Sequence, residues 1–320
     1  MPHAGALTFD HAMNTLLILE QLLNGVQFGV MLFLMAAGLT LVFGIMNLVN
    51  LAHGSFYMVG AYICASTLVA TGSFPLAMLA ALLGSLLVGV VVELVIVRPL
   101  YARDHMDQVL ATFGLTMIFN ELVRLLWGDT GIYAPVPEFL SGFVQPWPGL
   151  RYPLYRLAII LVGLVSAGFL YLLVAKTRLG MLIRAGASNR TMVGALGVDI
   201  KLLYTSVFGI GAVLAALSGL MAGPIFTVAA GMGDGVVVLA FVVIVIGGIG
   251  SIRGAFIAAL IVGTVDTLGR AFLQPLLATF LTQSEADNAG PALASMLIYL
   301  LMAMVLFFRP RGLFPAKLRG

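Results

Sequence analysis

The chain has 320 residues, of which 61% are apolar and only 9% are charged, whereas soluble domains carry roughly 25% charged residues. This composition excludes an ordinary soluble domain and predicts a protein embedded in membrane lipid. The net charge is +3, but no Lys or Arg precedes Arg98 and no basic stripe with interleaved aromatic residues occurs. The sequence therefore does not favour nucleic-acid binding.

Neither a covalent cross-link nor a leader peptide is expected. Cys64 is the only cysteine and lies inside an apolar run, so it cannot form an intrachain disulfide and is interpreted as a packed small residue. Residues 1–14 include Asp10 and no Lys or Arg, which argues against a cleaved signal peptide. They are predicted to form an N-terminal tail.

Apolar runs divide the chain into membrane spans. A helix of roughly 20 residues crosses the ~30 Å hydrocarbon core, and charged, Pro-rich and Gly-rich breaks separate such runs here. We predict an all-α polytopic helix bundle of nine spans with interrupted helices, and eight to ten spans agree with the pattern. The seventh is too short to cross without the Gly-rich stretch after it. Together the spans form a transmembrane domain, 15–308, followed by a tail, 309–320; they are 15–43, 55–71, 74–97, 109–127, 154–175, 202–222, 236–246, 254–273 and 292–308.

The basic residues predict the orientation of the bundle. With the N-terminus outside, the inside segments hold 12 of the 16 Lys and Arg residues, so the C-terminus is predicted to be cytoplasmic. The cytoplasmic segment 176–201 has short helical apolar patches, which suit a partner helix or groove. The segment 128–153 is predicted to be an external loop whose prolines forbid regular helix. It is either an ordinary connector or a docking or gating surface.

Sequence motifs for catalysis are absent. The pattern G-x-x-x-x-G-K-[ST], which cradles nucleotide phosphates, does not occur, and neither does H-E-x-x-H. The chain is therefore predicted to be non-catalytic and to hold no cofactor or metal of its own. Any ATP that drives transport must be hydrolysed by another subunit.

Three acidic residues in the predicted spans have an arginine three to five residues away. A charge in hydrocarbon costs at least ~2.5 kcal/mol, and residues three or four apart meet on one helix face. These pairs are interpreted as local neutralisation; the alternative is a proton relay in a secondary transporter. The pairs interpreted in this way are Glu121 with Arg124 and Asp266 with Arg270, whereas Glu93, five residues before Arg98, is expected to face the cytoplasmic interface.

A polar break at 43–54 interrupts an otherwise apolar region with Asn47, Asn50 and His53. Unwound backbone at membrane depth is tolerated only where protein or a water-filled cavity satisfies it. Two compatible interpretations follow. Asn50 or Ser55 caps the next helix while His53 bonds a carbonyl group, or the segment lines a solute path.

A second break, 247–254, is rich in glycine and predicts a tight turn or hinge. The stretches 53–56 and 253–256 are weakly similar, which is either the trace of an internal repeat or chance; a repeat would make the second break an opposing wall to the first. Asp234 lies in a Gly-rich candidate external mouth, where it is available to a solute ammonium group. The predicted path residues are Asn47, Asn50, His53, Ser55 and Asp234.

These stretches together resemble the permease subunits of ABC importers for branched-chain amino acids and related solutes. The matches follow the family's order from about residue 20 to 315. The shorter, first-type permease of the pair is the most similar, although Leu51 stands where the family commonly has Phe. The matching stretches are Asn24-Gly25, 38–44, 50–54 (NLAHG), 58–62, 98–100 (RPL), 111–115 (ATFGL), 178–180 (RLG), 195–198 (ALGV), 247–254 and 309–314 (RPRGLF).

The resemblance implies a pore subunit of the bacterial inner membrane. Its implied partners are a second homologous permease, two cytoplasmic ATPase subunits that use ATP and Mg, a periplasmic solute-binding protein and a small solute. Family members also carry urea, short amides and aromatic acids. The resemblance places a coupling helix around 185–196, and the predicted ATPase-coupling residues are Arg184, Ala185, Asn189, Met192, Val193 and Leu196.

The sequence thus favours an importer permease that guides a small solute without altering it covalently. The alternative is an autonomous proton- or sodium-coupled carrier that uses Glu93, Glu121 or Asp266. A membrane scaffold or an enzyme has no supporting site.

Overall fold

A computed structural model describes the backbone of residues 4–315 and the side chains of residues 15–315. Residues 1–3 and 316–320, which belong to the two predicted tails, lie outside the described residues. The helices are α1 (Ala4–Met46), α2 (His53–Thr71), α3 (Phe74–Val92), α4 (Arg98–Leu100), α5 (His105–Trp127), α6 (Leu154–Lys176), α7 (Arg178–Ala195), α8 (Ile200–Ala222), α9 (Met232–Gly247), α10 (Ile252–Leu277) and α11 (Gln283–Phe308). A π-helical turn (Glu93–Val97) joins α3 to α4, a 3-10 turn (Glu138–Leu140) follows α5, and β1 (Phe143–Trp147) pairs antiparallel with β2 (Leu150–Pro153).

The helices confirm an all-α polytopic bundle. Within the described chain, eight helical segments are long and apolar enough to cross a membrane. The seventh predicted span is α9, a shorter apolar helix of 16 residues. At 1.5 Å per residue α9 is about 24 Å long, less than the ~30 Å of a hydrocarbon core.

Several helices extend past the predicted boundaries. α2 begins at His53 and α5 at His105, and α11 begins at Gln283 instead of residue 292. The start of α11 is stabilised by a capping box between Thr282 and Glu285, which satisfies backbone donors of the first turn. Pro291 therefore lies inside a helix that has already begun, not at its boundary.

The central helix of the bundle is α1, which packs against α10, α8, α9 and α6. It approaches α10 backbone to backbone: a Cβ at Gly29 would lie 2.7 Å from the Ala259 carbonyl oxygen. In lipid, apolar helices gain little free energy from burying their side chains against each other. Close packing of small residues provides the attraction between the helices instead. Cys64 is buried and unpaired, as predicted.

The two ends of α6 lie at opposite faces of the molecule. Its first residue directly follows β2, and its last residue leads directly into α7. We call its two ends the hairpin face and the α7 face. As predicted, residues 128–153 contain no α-helix; the hairpin of β1 and β2 was not predicted. Aromatic side chains on this segment are exposed, namely Tyr133, Phe139, Phe143 and Trp147. They suit a membrane interface or a docking surface, and the choice between connector and docking surface stays a prediction.

Candidate functional site

The polar segment between α1 and α2 runs alongside α9. At its start, Asn47 ends α1 in a left-handed conformation with φ of 52°, which Asn tolerates at a helix C-terminus. A Cβ at Gly44 would lie 3.3 Å from the Cα of Gly250, just beyond the last turn of α9. A Cβ at Gly54 would lie 2.6 Å from the carbonyl oxygen of Gly233, in the first turn of α9. The segment therefore enters at the α7 face and reaches the bundle interior.

Thr112 of α5 supports the backbone of this segment. Its hydroxyl accepts a hydrogen bond from the Leu51 N–H at 3.3 Å and donates to the Gln108 carbonyl oxygen at 2.8 Å. Unwound backbone inside a bundle needs such partners. Sequence reasoning missed this role, although Thr112 belongs to the ATFGL stretch that carries the family resemblance.

Four buried polar atoms at the end of the segment have no hydrogen-bond partner among the described residues. They are Nδ2 and Oδ1 of Asn50, Nε2 of His53 and Oγ of Ser55. All three residues are at most 1% exposed. Because buried polar groups normally bond protein or ordered water, these atoms call for water or a passing polar molecule.

The predicted side-chain cap of α2 is wrong for Asn50 and Ser55. No side chain of the described chain caps the first turn of this helix. The cap comes instead from the backbone, because the Asn50 carbonyl oxygen accepts from the His53 N–H at 3.4 Å. His53 does bond backbone as predicted, at Met35.

The other two predicted path residues, Asn47 and Asp234, are exposed in this chain. Asp234 lies in the first turn of α9 and accepts a hydrogen bond from Nδ2 of Asn120, on α5, at 3.1 Å. Sequence reasoning did not single out Asn120, and its only signal is an amide within an apolar helix. The five predicted path residues thus occupy the interior around His53 and the surface at the two ends of α9.

The second break forms a turn, as predicted, in which Gly248 and Gly250 have positive φ values of 102° and 78°. Gly254 packs against Gly247, at the opposite end of α9 from Gly54. The stretches 53–56 and 253–256 are therefore separated by most of the length of α9. The second break approaches the polar segment at Gly44, and its role as an opposing wall to the path stays a prediction.

A cavity of about 250 Å³ lies between α1, α2, α8 and α9. Tyr57 and Ser218 are its polar members, and Ser218 Oγ donates to the Met31 carbonyl oxygen at 2.8 Å. At 100° per residue, the α9 residues that line the cavity lie on the face opposite to Asp234. The lining residues are Phe28, Met31, Leu32, Tyr57, Ser218, Phe226, Met232 and Val236.

A buried ionic network joins the end of α3 to the start of α8. The π-helical turn, in which residue i+5 bonds residue i, places Arg98 beside Glu93, with Nε and Nη2 donating to the carboxylate at 3.2 and 3.1 Å. Glu93 also accepts from the Tyr101 hydroxyl at 2.6 Å and the Thr205 hydroxyl at 2.8 Å. Burial raises the pKa of Tyr101, and the bond to Glu93 acts in the same direction, so this hydroxyl stays protonated. Sequence reasoning noted the spacing of Glu93 and Arg98 but did not predict their contact, and it gave no sign of Thr205.

The two pairs that the sequence predicted are also present. Arg270 Nε lies 2.9 Å from Asp266, whose side chain is 6% exposed. Arg124 lies 2.6 Å from Glu121, and these side chains are 48% and 64% exposed. Among the described residues, no three His, Cys, Asp or Glu side chains are placed to hold a metal ion.

α7 consists of two helical pieces that meet at Asn189, whose φ of −154° and ψ of 93° are not helical. Asn189 Oδ1 accepts from the Met192 N–H at 2.9 Å and so caps the second piece. Met192 and Leu196, four residues apart, are 59% and 77% exposed, whereas Val193 is only 7% exposed. Val193 therefore packs inward and is removed from the predicted contact surface.

The first piece of α7 carries the remaining two predicted coupling residues. Arg184 bonds the Val174 carbonyl oxygen of α6, and Ala185 is half-buried. Arg184 is itself exposed, and the exposed apolar pair of Met192 and Leu196 lies on the second piece.

The architecture defines a multi-pass membrane protein whose interior is entered by a polar, non-helical segment. A family model described as "Branched-chain amino acid transport system / permease component" matches residues 21–306. The chain therefore belongs to this family, as its sequence motifs indicated.

Individual relatives agree with this membership. The chain is 32% identical to the high-affinity branched-chain amino acid transport system permease protein BraD of Pseudomonas aeruginosa, over 92% of this chain and 95% of BraD. It is 28% identical to the corresponding protein LivH of Escherichia coli, over 81% of this chain and 88% of LivH. A more distant relative is the D-allose transport system permease protein AlsC of Escherichia coli, 28% identical over 59% of this chain and 58% of AlsC. No solved structure matches the chain significantly.

The buried network predicts a strong effect of Arg98→Leu on stability. This change leaves the Glu93 carboxylate buried without its cation, which costs about 3–5 kcal/mol. Arg124→Leu is a matched control, because it breaks an exposed pair worth at most about 1 kcal/mol. Unfolding of the purified protein in mixed detergent micelles measures both. Equal losses of stability would contradict the importance of burial at Glu93.

Proposed function

We propose that this chain is a transmembrane permease subunit of an ABC importer. With a second homologous permease it forms the path for a branched-chain amino acid or a related small solute. The match of the family model to residues 21–306 carries this proposal. The chain is non-catalytic, and two separate ATPase subunits hydrolyse ATP with Mg, while a periplasmic binding protein delivers the solute. In the bacterial inner membrane the hairpin face is periplasmic, and the α7 face with the C-terminus is cytoplasmic.

The ion pairs favour an importer over an autonomous carrier. A proton-coupled carrier needs an acid that exchanges protons during transport. Glu93, Glu121 and Asp266, the three acids named for that role, each contact an arginine. Each is therefore neutralised within its own neighbourhood.

The interior polar atoms support a solute path beside the start of α2. Asn50, His53 and Ser55 present donors and acceptors that no described residue uses. Neutral groups of this kind bind a small polar solute weakly, which permits its release. The polar segment then leads from these atoms to the α7 face at Asn47.

The second piece of α7 supports coupling to the ATPase. Met192 and Leu196 form an exposed apolar face, and a surface of this kind fits the groove of a partner. α7 continues into α8, which the Glu93 network joins to α3. A displacement of α7 thus has a direct mechanical route into the spans.

Reconstitution tests the proposed function. The permease pair, the ATPase subunits and the binding protein in proteoliposomes should take up L-leucine only when ATP is present. This chain alone should show no uptake driven by a proton or sodium gradient. Gradient-driven uptake by this chain without ATPase subunits would establish the carrier instead.

The solute path is tested by a matched pair of serine substitutions. Ser55 and Ser85 are both at most 1% exposed, and neither Oγ has a partner in the described chain. Ser55→Ala should lower uptake about fivefold, the equivalent of one hydrogen bond of roughly 1 kcal/mol. Ser85→Ala, in α3, should leave uptake unchanged. Equal uptake by the two variants would assign Ser55 to packing.

Thiol labelling supplies an independent readout of the same path. In a Cys64→Ala background, Asn47→Cys, Asn50→Cys and Ser55→Cys are exposed to a membrane-impermeant reagent across nucleotide states. At least one of the two interior positions should react in one state. If all three stay protected in every state of an active complex, the path lies elsewhere.

Coupling through α7 is tested by charge insertion. Met192→Asp combined with Leu196→Asp buries unpaired carboxylates at the ATPase contact, and should lower copurification of the ATPase subunits about tenfold. Met181→Asp is the matched control, since Met181 is 55% exposed on the first piece of α7. Membrane insertion should be normal in both. Undiminished copurification with the double variant would refute the contact.

A further inference from the structure

Asp234 lacks a cation partner. No Lys or Arg of the described chain lies within ion-pair distance of its carboxylate, whereas Glu93, Glu121 and Asp266 each have an arginine. The polar contact of Asp234 is with the neutral amide of Asn120, at 3.1 Å. A carboxylate among membrane spans is costly unless a cation approaches it. This one is exposed on the surface of the single chain, and no cation of the described residues meets it.

Asn120 holds the Asp234 carboxylate through its amide nitrogen. Its Nδ2 is used by Asp234, so its Oδ1 points away from the carboxylate. That Oδ1 is buried and has no partner among the described residues. The amide orientation is consistent, because the reverse placement would set two acceptor oxygens against each other. One N–H of Asn120 Nδ2 is thus used by the carboxylate, and the free lone pairs of Asp234 are the acceptors that the pair presents.

The pair lies within the span and not at its end. Asn120 precedes Trp127, the last residue of α5, by seven positions, or roughly 10 Å along the helix axis. α5 and α9 contribute one residue each, so the pair bridges two helices. The pair lies between the hairpin face and the interior polar atoms near Ser55. Gly233, the residue before Asp234, contacts Gly54, the residue before Ser55.

We propose that Asn120 and Asp234 form a recognition site for the ammonium group of the transported solute, an inference that rests on the proposed function. The free lone pairs of the two Asp234 carboxylate oxygens can accept from the N–H donors of an ammonium group, and Asn120 holds this carboxylate in place. A bare metal ion needs several more oxygen ligands than this pair supplies. The site selects solutes with a primary ammonium group as they enter the path, and Asn120 is its positioning residue.

A charge-selective labelling experiment tests the site without reference to transport. Val238 lies one turn after Asp234 on the same face of α9 and is 44% exposed. Val238→Cys, in the Cys64→Ala background of the assembled transporter, is labelled with cationic and anionic methanethiosulfonate reagents of similar size. The cationic reagent should react faster, and adding Asp234→Asn should lower the ratio of the two rates about tenfold.

Glu121→Gln is the matched control for this experiment. It removes an acid from the residue next to Asn120, but that acid is paired with Arg124, so the rate ratio should not change. An unreactive Val238→Cys thiol, or a ratio that Asp234→Asn leaves unchanged, would overturn the site.

Transport supplies the second readout. Asp234→Asn and Asn120→Leu should each lower ATP-dependent L-leucine uptake about tenfold, while Asp234→Glu, which keeps the charge, should recover part of it. Copurification of the ATPase subunits should be unchanged, which separates this effect from misfolding. Normal uptake by both variants would overturn the assignment. Absence of L-leucine uptake by the unaltered transporter would instead count against the proposed function, and the labelling ratio would still decide the site.

Discussion

The contact between the first turns of α2 and α9 is the constraint on which the polar interior depends. Gly54 and Gly233 touch backbone to backbone there, so any side chain at either position would push the two helices apart. Lipid gives apolar helices little reason to associate, and close packing of small residues supplies the attraction. Because Ser55 and Asp234 each follow a contacting glycine, one crossing positions both an interior polar atom and the exposed carboxylate.

The short helix α9 is stable because both of its ends are held by other segments. Its first turn meets α2, and its last carbonyl groups accept from the C-terminal stretch: Leu313 N–H donates to Ile246 at 2.8 Å, and Phe314 N–H to Gly247 at 3.0 Å. Carbonyl groups at a helix end need such partners inside a membrane. The RPRGLF stretch at 309–314 therefore has a structural role at the α7 face, which its basic residues alone did not reveal.

Local patterns in the sequence predicted what local physics decides. The apolar runs located the spans, because a membrane helix must hide its backbone within one continuous segment, and spacing predicted the Glu121 and Asp266 pairs. Sequence patterns could not predict contacts between distant segments. Asn120 contacts Asp234 across 114 residues, and Thr205 contacts Glu93 across 112. Such contacts follow from helix packing, which no single-segment pattern encodes. The reversed expectation for the capping of α2 has the same origin, since backbone groups took the role assigned to Asn50.

Glu93 and Asp234 lie in two different kinds of environment, the first structural and the second suited to recognition. Glu93 is enclosed by Arg98, Tyr101 and Thr205, and an enclosed pair contributes little net stability but resists a change of geometry. It therefore holds the end of α3 and the start of α8 together. Asp234 has the opposite design, since its charge is exposed and met only by an amide. Because no cation of the described chain pairs with Asp234, its carboxylate can attract one from outside. The strength of that attraction depends on the charge of the approaching molecule.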